Sequence, residues 1–184
     1  MNTSQKIKEN TPDGEKYIIL HTHGNVRNAE TVVVAEVVAP NAAEAIKMVM
    51  PEIVKIFVFN PDYQHNANFA LLENPASFVS DIIDNYSAQR GHLLVNDNKE
   101  LHFLVEYLTR KSIHGERTIH HSKKIWARDA ETLLKKQLRG KYKKWQVSAE
   151  GRYYAKATKV PDPDKDPAIE YIVVSAIYEL DQRK

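Results

Sequence analysis

The sequence predicts an α+β fold, mainly antiparallel sheet with about three helices, and two observations predict it. β-branched runs recur in pairs around Gly, Asn and Asp, and three other segments read as helices from good helix formers or helical apolar spacing, two of them behind a capping Asn. The 184 residues are 42% hydrophobic and 27% charged, which is ordinary globular composition, enough for one sizeable core or two small ones.

Residues 1–16 hold Thr11-Pro12-Asp13-Gly14 and no hydrophobic period, so they read as a flexible tail. Tyr17 to His21 and Thr31 to Val38 are strand-like runs around a Gly24-Asn25 loop, a hairpin. Asn41 is placed to cap a helix over Ala42 to Met50, with Glu44 reaching back as in a capping box and Pro51 ending it. Ile53 to Phe59 reads as a third strand, which makes 17–60 an N-terminal ββαβ half, followed by a connecting loop over 61–73.

The second half is assigned to 74–184. Asn74, Pro75 and the apolar spacing of Phe78, Val79, Ile82, Ile83 and Tyr86 predict a helix that Gly91 stops. Leu93 to Val95, Leu101 to Leu108 and Arg117 to Trp126 read as strands joined by turns at Asn96-Asp97-Asn98 and His114-Gly115. A helix over Arg128 to Leu138 buries Ala130, Leu133, Leu134 and Leu138 and ends at Gly140. Lys143 to Ala149 and Arg152 to Val160 form a hairpin about Glu150-Gly151. A Pro161 to Pro167 loop and a final strand over Ile169 to Leu180 complete the chain. Val38 to Ile46 and Ile125 to Leu133 share an Ala-Glu pair 87 positions apart, each after a strand hairpin, which raises a duplicated ββαβ unit and leaves open one continuous domain.

Charge is segregated along this layout. Arg110 to Lys159 carries fifteen Lys and Arg against four acids, a balance of +11, while residues 1–109 stand at −6 and 160–184 at −3. Interspersed signs would keep the chain soluble equally well without that self-repulsion, so the block points to a polyanionic partner. Trp126, Tyr142, Trp145, Tyr153 and Tyr154 interleave with it, and cations with aromatics suit nucleic acid. The expected contact residues are Lys123, Lys124, Arg128, Lys135, Lys136, Arg139, Lys141, Lys143, Lys144 and Arg152. Trp145 shares a strand face with Val147 and Ala149 and is expected in the core. Adjacent Tyr153 and Tyr154 must point to opposite faces, so one of them is expected to be exposed.

Ser122-Lys123-Lys124 followed by Ala127-Arg128-Asp129-Ala130 resembles the signature by which double-stranded RNA-binding domains set lysines over groove phosphates, and Phe103 to Glu106 is similar to that family's second strand. The chain departs from the pattern at the inserted Ile125-Trp126, in the short stretch from Gly91 to Phe103 and in lacking a Gly-Pro-x-His turn. If Ser122 to Trp126 is strand, the lysines leave the helix N-terminus and the resemblance fails.

Eight histidines and no cysteine exclude thiolate zinc, Fe–S clusters and disulfides, and fit a reducing, cytoplasmic setting. His21-Thr22-His23 puts two imidazoles on one strand face, but no third ligand is identifiable without the fold; His65, His92 and His102 are possible recruits. No metal and no cofactor are therefore expected. No G-x-S-x-G, G-x-G-x-x-G, phosphate loop or H-E-x-x-H is present, and no catalytic residue is assigned. The reading is a small, non-catalytic nucleic-acid-binding accessory protein for DNA or RNA, away from membranes. The alternative is an interaction or assembly module whose basic block meets an acidic protein or a second copy.

Overall fold

Strand pairing, not local helix preference, decides the middle of this chain. The computed structural model describes residues 14–25, 29–49, 57–59, 66–71, 82–111, 116–160 and 168–182. Strands β1 (Glu15–Asn25) and β2 (Glu30–Ala39) form the expected hairpin, and α1 (Ala42–Val49) follows. β3 (Phe57–Phe59), β4 (Asn66–Leu71) and β5 (Ile82–Leu93) complete a first sheet in the order β2-β1-β5-β4-β3. The second half repeats the arrangement: β6 (Leu101–Arg110), β7 (Arg117–Ala127), α2 (Ala130–Leu138), β8 (Trp145–Glu150), β9 (Tyr154–Lys159) and β10 (Ile169–Ala176), in the order β7-β6-β10-β9-β8. A last short strand, β11 (Tyr178–Leu180), crosses back and pairs with β5.

The fold class is therefore corrected. The protein is mostly antiparallel sheet, with two short helices among the described residues in place of an α+β fold with about three. The helix expected up to Gly91 is the difference: residues 74–81 lie outside the described residues, and the rest is β5, between β1 and β4 at the centre of the first sheet. Ala88 and Gly91 carry no β propensity. Ala88 is buried in the cluster under α1 and Gly91 lies against β11, so tertiary context overrides local preference. β4 also occupies part of the expected connecting loop. Residues 1–13 of the expected tail, and 112–115 and 161–167, where two of the turns were placed, lie outside the described residues, while Glu15 and Lys16 of that tail belong to β1.

The repeated unit is ββαβββ, longer than the ββαβ read from sequence. Its internal alignment is set by the helix caps. Asn41 Oδ1 accepts from the Glu44 amide at 2.9 Å and Asp129 Oδ1 from the Thr132 amide at 2.7 Å, 88 positions apart, one more than the Ala-Glu match suggested. At that offset the buried residues Ala42, Ala45 and Ile46 of α1 fall on Ala130, Leu133 and Leu134 of α2. Both hairpins also carry one unpaired residue in the outer strand, Val34 in β2 and His120 in β7. Glu44 does not reach back to the cap; its carboxylate takes the Lys47 ammonium at 2.7 Å.

One core cluster draws on both sheets. Ile18, Leu20 and Val33 join Phe103, Val105, Val174 and the α2 residues Leu133, Leu134 and Leu138, while Tyr17, Ile19 and Ala88 pack under α1 in a second cluster. The strand register puts Phe103, Val105, Ala155, Ala157, Ile172 and Val174 on the α2 side of the second sheet, and Leu108, Tyr154, Lys156 and Tyr171 on the other. Trp145 is only partly buried, against this core, and of the tyrosine pair Tyr154 is buried and Tyr153 half-buried.

Gly91 is where β11 seats. A Cβ there would collide with the Glu179 carbonyl oxygen and the Leu180 Cα. Gly91→Ala is expected to destabilise the protein by about 1–3 kcal/mol, the usual range for overpacking, and to release β11 selectively. Amide hydrogen exchange checks this: the Tyr178 to Leu180 amides should lose protection well before those of β6 and β10.

Candidate functional site

The ten expected contact residues separate into three groups once the strands and α2 place them. Lys123 and Lys124 are neighbours in β7, so they point to opposite faces. Lys123 lies on the α2 side with its ammonium 5.6 Å from the centre of the Tyr107 ring, whereas Lys124 is exposed on the other side. Ser122 to Trp126 are strand throughout, so these lysines do not flank a helix N-terminus and the resemblance to double-stranded RNA-binding domains fails on geometry.

The second group sits at the start of α2. Arg152 Nη2 donates to the Arg128 carbonyl at 3.1 Å, and the Ala130 amide donates to the Arg152 carbonyl at 2.9 Å, which binds the turn after β8 to the helix entrance. Arg128, just before the N-cap, and Lys136, about two turns along the helix, line a groove of about 550 Å³ with Trp126, Asp129, Thr132 and Gln137. Trp126 is 42% exposed and stacks on His102 with centroids 4.2 Å apart.

The third group surrounds the end of α2. Arg139, at φ 46°, takes the left-handed conformation, and Gly140 follows at φ 78°. The reversal directs the chain into a 3-10 turn at Tyr142–Lys144, and Arg139, Lys141, Lys143 and Lys144 are all exposed around it. Cations near this C-terminus also oppose the helix dipole favourably. Lys135 differs, since it pairs with Glu131 one turn back at 2.5 Å. Among the described residues no carboxylate lies within ion-pair distance of Lys124, Lys136, Arg139, Lys141, Lys143 or Lys144.

Other cations of the basic block are neutralised by acids from outside it, which a count along the chain does not reveal. Glu30 of β2 accepts from Lys156 Nζ at 2.8 Å, Arg117 Nη2 at 2.8 Å and the Tyr154 hydroxyl at 3.0 Å, all from the second sheet. Lys159 pairs with Glu170 at 2.5 Å, and Arg110 is buried with its guanidinium 6.0 Å from the Tyr171 ring centre. Burial alone would push the Glu30 carboxyl up. The Lys156 ammonium, the Tyr154 hydroxyl and the Arg117 charge outweigh it and hold the group below the ordinary 4.5, and the same carboxylate, after burial, drives the Tyr154 phenol upward.

The histidine pair acquires a third neighbour. Glu150, at the end of β8, faces His21 and His23. His102 is occupied by its stack on Trp126, His92 lies 3.8 Å from Glu179, and His65 is outside the described residues. Nothing in the chain around Glu150 marks it as a partner of residues more than a hundred positions earlier. Comparison with protein-family models, curated proteins and solved structures finds no match.

The Glu30 network ties β2 to the second sheet, and its pH dependence has a definite sign. A carboxyl whose folded pKa is depressed contributes stability that is full above its unfolded value and lost as pH falls through the folded one. Unfolding midpoints in urea should therefore decline below about pH 4.5 in the wild type and decline less steeply in Glu30→Gln. At neutral pH the variant should be less stable by about 1–3 kcal/mol, because Lys156 and Arg117 lose their shared counter-charge.

Proposed function

We propose that the protein binds nucleic acid, DNA or RNA, through its phosphate backbone, as a non-catalytic accessory protein. The observation that carries this reading is the distribution of unneutralised charge about α2. Arg128 and Arg152 lie at its start, Lys136 on its exposed flank, and Arg139, Lys141, Lys143 and Lys144 at its end, all exposed. Nine helical residues rise about 13 Å, comparable with some four nucleotide steps at ~3.4 Å each, so the two ends can meet separate phosphates of one strand. Cations presented this way read backbone and carry little sequence information, which suits a binder of modest specificity. Trp126 adds an exposed aromatic beside the groove that Arg128 and Lys136 line.

A cytoplasmic setting accords with a cysteine-free chain. Among the described residues no helix is long and apolar enough to cross a membrane.

Gel retardation with duplex DNA and RNA across a salt series tests the proposal. Binding at about 50 mM salt should weaken steeply as salt rises, by ~0.9 log units per neutralised phosphate per log unit of salt for B-DNA. Replacing Lys141, Lys143 and Lys144 by Glu should abolish it while costing less than about 0.5 kcal/mol of stability each. No retardation of either nucleic acid overturns the reading, and a salt-dependent oligomer size without nucleic acid would put the interaction module in its place.

A further inference from the structure

His21 and His23 stand two residues apart on β1 and so share a face, with ring centroids 4.8 Å apart. Glu150 approaches them from the other sheet and completes the group. Its Oε1 is 3.2 Å from His23 Nε2 and its Oε2 is 3.6 Å from His21 Nδ1. One donor atom from each of the three residues lies within 4.8 Å of the other two.

Two features separate this arrangement from a simple imidazolium–carboxylate pair. His23 Nε2 is shielded from solvent and makes no hydrogen bond, although the carboxylate oxygen is within reach. A ring N–H aimed at Oε1 would form that bond, so what is missing is alignment, and a polar atom left this way is costly unless something else engages it. The His21 ring is also held in place, stacked on Tyr86 with centroids 4.3 Å apart and planes within 1°. The group is therefore built from a positioned imidazole, an unsatisfied imidazole nitrogen and a carboxylate that converge on one point.

We infer that His21, His23 and Glu150 form a binding site for a divalent cation of borderline softness, Zn²⁺ foremost. Two nitrogens and one carboxylate are a zinc donor set, whereas Ca²⁺ and Mg²⁺ call for oxygen cages. With bonds of ~2.0–2.1 Å a tetrahedral ion spaces its ligand atoms about 3.3 Å apart; each imidazole already lies near that distance from one of the two Glu150 oxygens, and the three donor atoms, within 4.8 Å of one another, need close by at most about 1.5 Å. His23 and Glu150 side chains are about one-third exposed, at 34% and 35%, which gives an ion a way in and leaves a fourth position for water or an exogenous ligand. Glu30, opposite His23 in the β1–β2 register, is committed to Lys156, Arg117 and Tyr154 and is not a fourth ligand. The ion would join β1 of one sheet to β8 of the other, and it does so independently of any polyanion bound at α2.

The test is a titration of the chelator-stripped full chain, with Zn²⁺ by calorimetry and with Co²⁺ by visible absorption. One equivalent of Zn²⁺ should bind at micromolar metal, and Co²⁺ should show the intense d–d bands of four-coordination. Glu150→Gln and His23→Gln should each weaken Zn²⁺ at least tenfold, while His120→Gln, in the exposed β7, should leave it unchanged. Absence of stoichiometric binding overturns the inference, as does an affinity that survives Glu150→Gln or falls with His120→Gln. If a site variant does not fold, the wild-type Co²⁺ spectrum decides, the weak bands of six-coordination counting against the site.

Discussion

Three backbone hydrogen bonds at the meeting of the two sheets hold the molecule to one geometry. The Leu94 amide donates to the Ile177 carbonyl, the Ile177 amide to the His102 carbonyl and the His102 amide to the Leu94 carbonyl, at 3.1, 2.8 and 2.9 Å. This closed triangle ties the end of β5, the start of β6 and the step from β10 to β11. Each donor lies next to core residues, where an unpaired amide would be expensive, and each is satisfied by another member of the triangle. Because both sheets radiate from it, the triangle fixes how β1 and β2 lie against β8 and β9. The Glu30 network and the approach of Glu150 to His21 and His23 both depend on that placement.

Much of this was legible in the chain wherever one element's chemistry was self-contained. The cap Asn41, the buried α2 positions and the hairpin about Gly151, at φ 57°, are local, and residues of the right type stand where local physics needs them. The β5 segment was illegible for the opposite reason. Its small residues look permissive in isolation, and only the flanking strands and the close approach of β11 explain Ala88 and Gly91. The candidate site divides along the same line. Exposed lysines after α2 follow from local turn chemistry, while the removal of Arg117, Lys156 and Lys159 from the free charge required knowing that Glu30 and Glu170 come from elsewhere. Glu150 beside two histidines is a purely tertiary fact.

The charge pattern thus acquires a spatial meaning that its linear form lacked. A block of +11 along the chain pointed to a polyanionic partner. In the folded protein part of that charge is paired between the sheets, where it holds β2 in place, and much of what remains free collects around α2. One carboxylate of the acidic N-terminal half, Glu30, is built into the basic block's own structure.

β7 closes one side of the second sheet, and among the described residues its outer edge has no partner strand. Eleven residues of open edge invite pairing with any other exposed strand, the usual start of aggregation. Lys123 and Lys124 lie along it, and the unpaired His120 interrupts the ladder with a bulge anchored by the 2.6 Å contact of its ring with Thr109. An approaching copy would have to bring its own cations against these and match a broken register. The positive charge of β7 accordingly guards the sheet against growing across its edge, a duty it performs whether or not a ligand is ever bound.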